Sequence, residues 1–347
     1  MKIIDLFSGA GGLSLGFNQA GFESVLAIDK WEDAINTYNL NHTNQVGTTI
    51  DIHDYTNEQL LELKNNSIQG IIGGPPCQGF SMVGTRLTND PRNSLYMEYV
   101  RFVNIIKPDF FVLENVSGLL SLNKGKYKES IINEFSEIGY NVQFSLLTAS
   151  DYGVPQSRKR VFFIGVNKEK FGELFFDFSK LKKVDVVTSK DAISDLPSPT
   201  QSKEKIKYNS KPNNDFQALM RKESDGVFNH EITNHTKQTI DIISMVPDGG
   251  SIKDLPEEYY KVRNYNNAFR RMDSNLPSNT IDCGHRNYFH YKENRVPTVR
   301  ESARIQSFPD NFIFSGAKTS QYTQVGNAVP PLLANVIAKE IKRILYS

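Results

Sequence analysis

The strongest constraint on the fold lies in the first twenty residues. The apolar run Ile3-Ile4-Asp5-Leu6-Phe7 leads into Ser8-Gly9-Ala10-Gly11-Gly12, and Leu13, Phe17 and Ala20 then fall on one helical face that Gly21 ends. A strand, a glycine-rich turn and a helix in this order open an α/β unit. The alternation continues. Val25 to Ile28, Gly70 to Gly73, Phe110 to Leu113 and Val161 to Val166 read as strands, and Asp33 to Asn39 and Leu95 to Ile106 as helices. The pattern predicts a doubly wound, mostly parallel sheet with helices on both faces.

The pattern changes after about residue 179. Residues 197–215 are rich in Pro, Ser, Lys and Asn, and four of the six histidines (His230, His235, His285, His290) follow before residue 295. Amphipathic order returns at Pro331 to Tyr346, with Leu332, Val336, Ile337, Ile341 and Ile344 on one face. The expectation is a discontinuous large domain, 1–178 plus 316–347, with a smaller domain inserted at 179–315.

Charge narrows the partners. Forty Lys and Arg against 39 Asp and Glu leave a net charge of +1. That excludes a histone-like basic coat but not a basic groove on a neutral protein. Two cysteines, Cys77 and Cys283, make no disulfide framework, and no apolar run reaches the roughly 18 residues of a membrane span. Met1-Lys2-Ile3 leaves no room for a signal peptide before the first strand. A cytoplasmic protein is expected.

Two segments carry chemistry. The turn Gly9-Ala10-Gly11-Gly12 presents backbone N–H groups at a helix N-terminus, and Asp29 follows the second strand, where a ribose diol would be bonded. Ser14 stands where a dinucleotide fingerprint has its third glycine, and no Gly-Lys-Ser/Thr follows as in a P-loop. Both departures favour an adenosyl ligand without a pyrophosphate, and S-adenosylmethionine fits. The second segment is Gly73-Gly74-Pro75-Pro76-Cys77-Gln78-Gly79-Phe80-Ser81, a rigid frame at a strand end. That frame marks Cys77 as a nucleophile candidate, whereas Cys283 in Asp282-Cys283-Gly284 lacks one and reads as inert.

Taken together, six motifs resemble the DNA cytosine-5 methyltransferases in their order, closest to the bacterial restriction–modification type. They are Phe7-Ser8-Gly9-Ala10-Gly11-Gly12, Pro75-Pro76-Cys77-Gln78, Glu114-Asn115-Val116, Gln156-Ser157-Arg158-Lys159-Arg160, the run from Arg300 to Pro309, and Gly326-Asn327-Ala328-Val329-Pro330. The resemblance spans the chain apart from about 180–265. It implies a sheet of the S-adenosylmethionine-dependent methyltransferase type and an inserted target-recognition domain. It also implies methylation of cytosine carbon 5 in double-stranded DNA, with S-adenosyl-L-homocysteine as product and no metal.

The resemblance assigns roles. Cys77 would add to carbon 6 of the ring, which makes carbon 5 nucleophilic. Glu114 would serve ring nitrogen 3. Arg160, with Arg158 second, would hold the cytosine carbonyl; alternation puts both on one strand face. Phe7, Ala10, Gly12, Leu13, Asp29, Lys30, Trp31, Asp51, Ile52, Gly74, Pro76, Leu95, Asn327 and Ala328 would contact the cofactor. The target base must leave the duplex stack to be reached, and 81–94 suits a closing lid. Ser81, Arg86, Arg270, Arg271, Thr280 and Arg286 would contact DNA, with Arg270 or Arg271 reading a guanine. His285 and Asn287 are further candidates. A monomer is expected, with a cognate restriction endonuclease acting separately. The alternatives are a tRNA cytosine-5 methyltransferase of the same fold and a non-catalytic DNA-binding paralogue. The roughly 100 residues between Val187 and Tyr291 favour DNA, because a target reader needs such a module.

Overall fold

A computed structural model of the protein describes residues 1–76, 94–259, 269–284 and 288–346, with the backbone alone at Ser94 and Asn123. These residues divide into two compact units, 1–148 with 159–182 and 333–347, and 149–158 with 183–332.

The first unit is built on a seven-stranded sheet. Its strands are β1 (Lys2–Leu6), β2 (Glu23–Asp29), β3 (Gly47–Thr49), β4 (Ile68–Gly73), β5 (Phe110–Val116), β6 (Tyr140–Thr148) and β7 (Lys159–Asn167), in the order β3-β2-β1-β4-β5-β7-β6. β7 runs antiparallel to both its neighbours, and the remaining pairs are parallel. The helices α1 (Gly12–Gln19), α2 (Glu32–Asn41), α3 (Asn57–Asn65), α4 (Ser94–Ile106) and α5 (Lys126–Glu137) connect the strands, as parallel crossovers require. β4 and β5 are buried almost throughout, the mark of a sheet covered on both faces. Phe111, Tyr99, Phe135 and Tyr140 form the aromatic centre of the core, with Phe111 and Phe135 stacked at 4.0 Å. The strand order reverses between β1 and β4, and ligands of open α/β sheets bind beyond the carboxyl ends of strands at such a point. The C-terminal helix Pro331–Tyr346 packs back on this unit: Asn335 Nδ2 donates to Gly16 O (3.1 Å) and Lys342 Nζ to Ala20 O (3.1 Å).

The second unit has little sheet. Ile206–Lys207 pairs antiparallel with Gly226–Val227, and Arg270–Arg271 pairs parallel with Tyr288–Phe289. Buried arginines hold its loops. Arg304 Nε donates to Asp310 Oδ1 (2.5 Å) and its Nη1 to Asp195 Oδ1 (2.9 Å), while Arg300 donates to the carbonyls of Phe228, Pro309 and Phe312. The Arg300 to Pro309 motif is therefore a packing device: its two arginines satisfy carbonyls and carboxylates that a loop-rich unit would otherwise bury unpaired.

The units differ from the boundaries expected at 179 and 316. Residues 149–158 and 316–332 belong to the second unit, because hydrogen bonds override the composition shift. Ser157 N donates to Ser278 O (2.8 Å), Gln306 Nε2 to Ala328 O (2.5 Å) and Tyr322 OH to Pro297 O (2.7 Å). Among the described residues no helix is long and apolar enough to cross a membrane.

Candidate active site

The turn after β1 is shaped by its backbone. Phe7, Gly9 and Gly11 all have positive φ, at 60°, 53° and 87°. For Phe7 this is a costly conformation that the surrounding bonds must enforce. Ser8 N donates to Ile28 O (3.0 Å) and Gly11 N to Ser8 O (2.9 Å). Gly11 could not be another residue: a Cβ there would stand 2.4 Å from His42 Nε2 and 2.6 Å from the Tyr38 ring. Ala10, Gly12 and Leu13 are buried at the start of α1.

Asp29 closes the far side of the turn. Its Oδ2 accepts from Gly9 N (2.8 Å) and its Oδ1 from Trp31 N (2.9 Å). Burial holds its carboxyl above the usual carboxylate range, against the pull of those N–H groups. Trp31 is half-buried at the start of α2, and Lys30 is exposed. Asp51 caps a short turn through His53 N (3.1 Å), which keeps its carboxyl below the ordinary value, and Ile52 behind it is buried. The residues fit an adenosyl ligand on two observations. Backbone N–H groups and a carboxylate converge at the ends of the neighbouring strands β1 and β2, and Ser8 Oγ is buried there without a hydrogen-bond partner among the described residues.

A buried polar network beneath the turn is absent from the sequence reading. Ser14 Oγ donates to Asp5 Oδ2 (2.6 Å) and accepts from Tyr38 OH (3.1 Å). Burial pushes the Asp5 carboxyl up to about 7; the Ser14 bond opposes the rise and the nearby Asp29 charge adds to it. Ser14, the residue that breaks the dinucleotide pattern, thus joins β1, α1 and α2. Asp5 inside an otherwise apolar strand was the available signal.

The second group gathers where β4 and β5 end. Glu114 faces Phe162 and Val116 faces Arg160 across the β5–β7 pair, so Glu114 and Arg160 are diagonal neighbours on one face. Arg160 Nε lies 2.9 Å from Glu114 Oε1, and both side chains are largely buried. Asn115 Nδ2 donates to Pro75 O (3.0 Å), which ties the chain leaving β4 to the next strand. A Cβ on Gly74 would stand 2.9 Å from Glu114 Oε2. Pro76 is exposed and Leu95 partly buried. Cys77, Ser81, Arg86 and the rest of the expected lid up to residue 93 lie outside the described residues, as do His285, Arg286 and Asn287.

Two expectations need correction. Arg158 precedes β7, which begins at Lys159, and its side chain is engaged within the second unit. Its buried guanidinium donates to Ile281 O (3.3 Å) and Gly326 O (2.8 Å). Arg271 is not placed to read a base. It is buried and donates to the carbonyls of Val246 (2.8 Å), Ile243 (2.6 Å), His290 (3.0 Å) and Glu293 (3.1 Å) and to Asn294 Oδ1 (2.9 Å). Its neighbour Arg270 is exposed, as alternation along a strand demands.

Thr280 is half-buried next to Ile281, whose N–H donates to Gln156 Oε1 (3.0 Å). Asn327 is exposed at the end of the helix Lys318–Asn327, and Cys283 Sγ donates to its Oδ1 (2.9 Å). Ala328 follows, half-buried.

Comparison with known proteins identifies the family. Residues 1–343 match the family model described as C-5 cytosine-specific DNA methylase. The chain is 42% identical to the Type II methyltransferase M.DdeI of Desulfomicrobium norvegicum, over 98% of this chain and 88% of that protein. It is 39% identical to the Type II methyltransferase M1.HphI of Haemophilus parahaemolyticus, over 99% and 87%. Among solved structures, an E. coli prophage protein assigned as a DNA modification methyltransferase superposes with a TM-score of 0.84 at 30% identity, all of both chains being covered. The S. pombe Dnmt2 methyltransferase, at 17% identity and a TM-score of 0.63, shares the fold.

Proposed function

We propose, for a chain that belongs to the C-5 cytosine-specific DNA methylase family, how its residues divide the work of methylating cytosine at carbon 5 in DNA. Like its Type II relatives, the enzyme serves as the modification half of a restriction–modification system. The observation that carries the assignment of roles is the Glu114–Arg160 pair at the carboxyl ends of the central strands, with the chain running toward Cys77 tied beside it through Asn115.

Cytosine carbon 5 is too weak a nucleophile to be alkylated directly. Addition of the Cys77 thiolate to carbon 6 makes the ring enamine-like, dividing one hard step into easier ones. Glu114 hydrogen-bonds ring nitrogen 3 as charge builds there, and Arg160 holds Glu114 in place and reaches for the ring carbonyl. Once carbon 5 carries the methyl group, a solvent base takes its proton, the C5–H electron pair re-forms the C5–C6 double bond, and the C6–S bond breaks to release the Cys77 thiolate. The base is flipped out of the stack to reach Cys77.

S-adenosylmethionine supplies the electrophilic methyl group when bound. The turn Phe7 to Leu13 would hold it through backbone N–H groups and Asp29 through the ribose, with Trp31, Asp51, Ile52, Gly74, Pro76, Leu95, Asn327 and Ala328 as further contacts. Arg270 and Thr280 would contact DNA, as would Ser81, Arg86 and Arg286. The enzyme would act in the cytoplasm as a monomer, with any cognate endonuclease a separate protein. Incubation with labelled cofactor should label duplex DNA and leave tRNA unlabelled, and bisulfite sequencing of an expressing host should reveal one methylated site. Preferential labelling of tRNA would overturn the reading.

A further inference from the structure

Strands β1, β2 and β3 lie side by side in the first unit. Thr49 pairs with Asp29, and Ile50 N donates to Asp29 O (3.1 Å), so Asp51 stands just beyond Asp29 on the neighbouring strand end. Two residues hold the turn that carries Asp51. His53 binds Asp51 Oδ1 twice, through its backbone N–H (3.1 Å) and its ring Nδ1 (2.6 Å). Both bonds fall on Oδ1, which leaves Oδ2 for a ligand. From the other side Arg101 reaches across from α4. Its Nη2 donates to Tyr55 O (2.7 Å) and Ile52 O (3.4 Å), and its Nη1 to Asn57 Oδ1 (2.7 Å). Glu98, one turn earlier on α4, pairs with the same guanidinium at 2.6 Å and fixes its direction, both side chains being largely buried. One arginine thus joins the 52–57 segment to the helix whose first turn carries Leu95.

An ionised carboxylate can only accept hydrogen bonds. On an adenine joined to ribose, the 6-amino group is the only N–H that can donate to one. A carboxylate can select for that group only if its direction is set before the ligand arrives. We propose that Arg101 and His53 are positioning residues that hold the Asp51 carboxylate toward the base of the cofactor and so set the preference for a 6-aminopurine. Arg101 fixes the path of the turn through its carbonyls, and His53 fixes the carboxylate within the turn by occupying Oδ1. The inference deepens the proposed cofactor role of Asp51 and rests on it.

The test is calorimetric titration of the full-length enzyme with S-adenosylhomocysteine and with its analogue bearing hydrogen in place of the 6-amino group. Wild type should favour the adenine compound about tenfold to a hundredfold, the worth of a hydrogen bond to a charged group. Asp51→Ala should abolish that preference. Arg101→Ala and His53→Ala should each cut it by about threefold or more, and leave affinity for the analogue within about twofold of wild type. A general loss of structure would weaken both ligands alike, so the ratio isolates positioning. His53→Asn should restore the preference, because its amide Nδ2 can donate where the ring Nδ1 does. If Arg101→Ala fails to fold, Arg101→Lys takes its place, since an ammonium cannot span these acceptors as a guanidinium fork does. An undiminished preference in the Arg101 or the His53→Ala variant, or equal weakening of both ligands, would overturn the positioning roles. No preference in wild type, or an undiminished one in Asp51→Ala, would instead remove the adenine contact of Asp51 on which they rest.

Discussion

Arg160 Nε lies 2.9 Å from Glu114 Oε1, and the pair is fixed by strand register: Val116 opposes Arg160, and Glu114 stands two residues before Val116 on the same face. Both side chains are largely buried, which limits the alternative positions they can take. This geometry gives the proposed acid its orientation before any substrate arrives.

Glu114→Gln should therefore cut single-turnover methylation by about 10²–10⁴-fold, the usual contribution of a positioned acid–base group. Cofactor affinity should stay at the wild-type value, since Glu114 is not assigned to the cofactor. Rapid-quench assays and calorimetry check both halves. Near-wild-type turnover would remove Glu114 from the chemistry.

Asp29→Ala should weaken cofactor binding by about 1.5–3 kcal/mol, the range for hydrogen bonds to a charged group. Affinity for DNA in the absence of cofactor should not change. Calorimetric titration of S-adenosylhomocysteine gives the first quantity and fluorescence anisotropy the second. Equal cofactor affinity in mutant and wild type would place the ribose elsewhere.

Asp5 makes folding stability depend on pH. Its carboxyl is held at about 7 in the fold against 3.8 as an ordinary side chain. The folded chain thus keeps a proton that the unfolded chain has lost, and stability falls as pH rises from about 4 to about 7. The full span corresponds to on the order of 4 kcal/mol at 1.36 kcal/mol per pH unit. Asp29, also raised by burial, acts in the same direction. Asp5→Asn should flatten the fall without abolishing it. Denaturant midpoints at pH 5 and pH 8 would show a smaller difference for the variant; an undiminished difference would count against the buried acid.

The adjacent arginines of the short Arg270–Arg271 strand should behave differently. Arg271→Ala leaves several buried carbonyls without a donor and should cost about 2–4 kcal/mol of stability, at roughly 1–3 kcal/mol for each unsatisfied buried group once partial relaxation is allowed. Arg270→Ala should leave stability intact and relax preference at one base pair by about 1–3 kcal/mol if it reads a guanine. A uniform loss across sequences with a smaller salt slope would make Arg270 a phosphate contact.

The sheet was legible in the sequence because β1, β4 and β5 each carry a short apolar run (Ile3-Ile4, Ile71-Ile72 and Phe110 to Leu113) and the glycine turn follows the first of them. β6 was not: it is an edge strand, half-exposed along Tyr140–Thr148, so polar residues interrupt the apolar pattern. The residues proposed for the cofactor are local in the sequence, since Phe7 to Leu13 and Asp29 lie at or just beyond strand ends. What escaped were contacts between distant segments. Period-two reasoning grouped Arg158 with Arg160 because it cannot see the carbonyls of Ile281 and Gly326 that hold Arg158, and nothing local tells Arg271, facing inward to carbonyls from residues 243–246 and 290–293, from Arg270, facing out. The Asp5–Ser14–Tyr38 network joins three elements and has no motif of its own.

The central claim is that Cys77 attacks carbon 6 of a flipped cytosine. Duplex DNA carrying 5-fluorocytosine at the methylated position tests it directly, because fluorine at carbon 5 cannot leave as the proton does and the adduct is trapped. Incubated with S-adenosylmethionine, the wild-type enzyme should form a covalent complex whose mass places the nucleotide on the peptide containing Cys77, and Cys77→Ser should form none. A trapped complex in Cys77→Ser, or an adduct mapped to Cys283, would contradict the account.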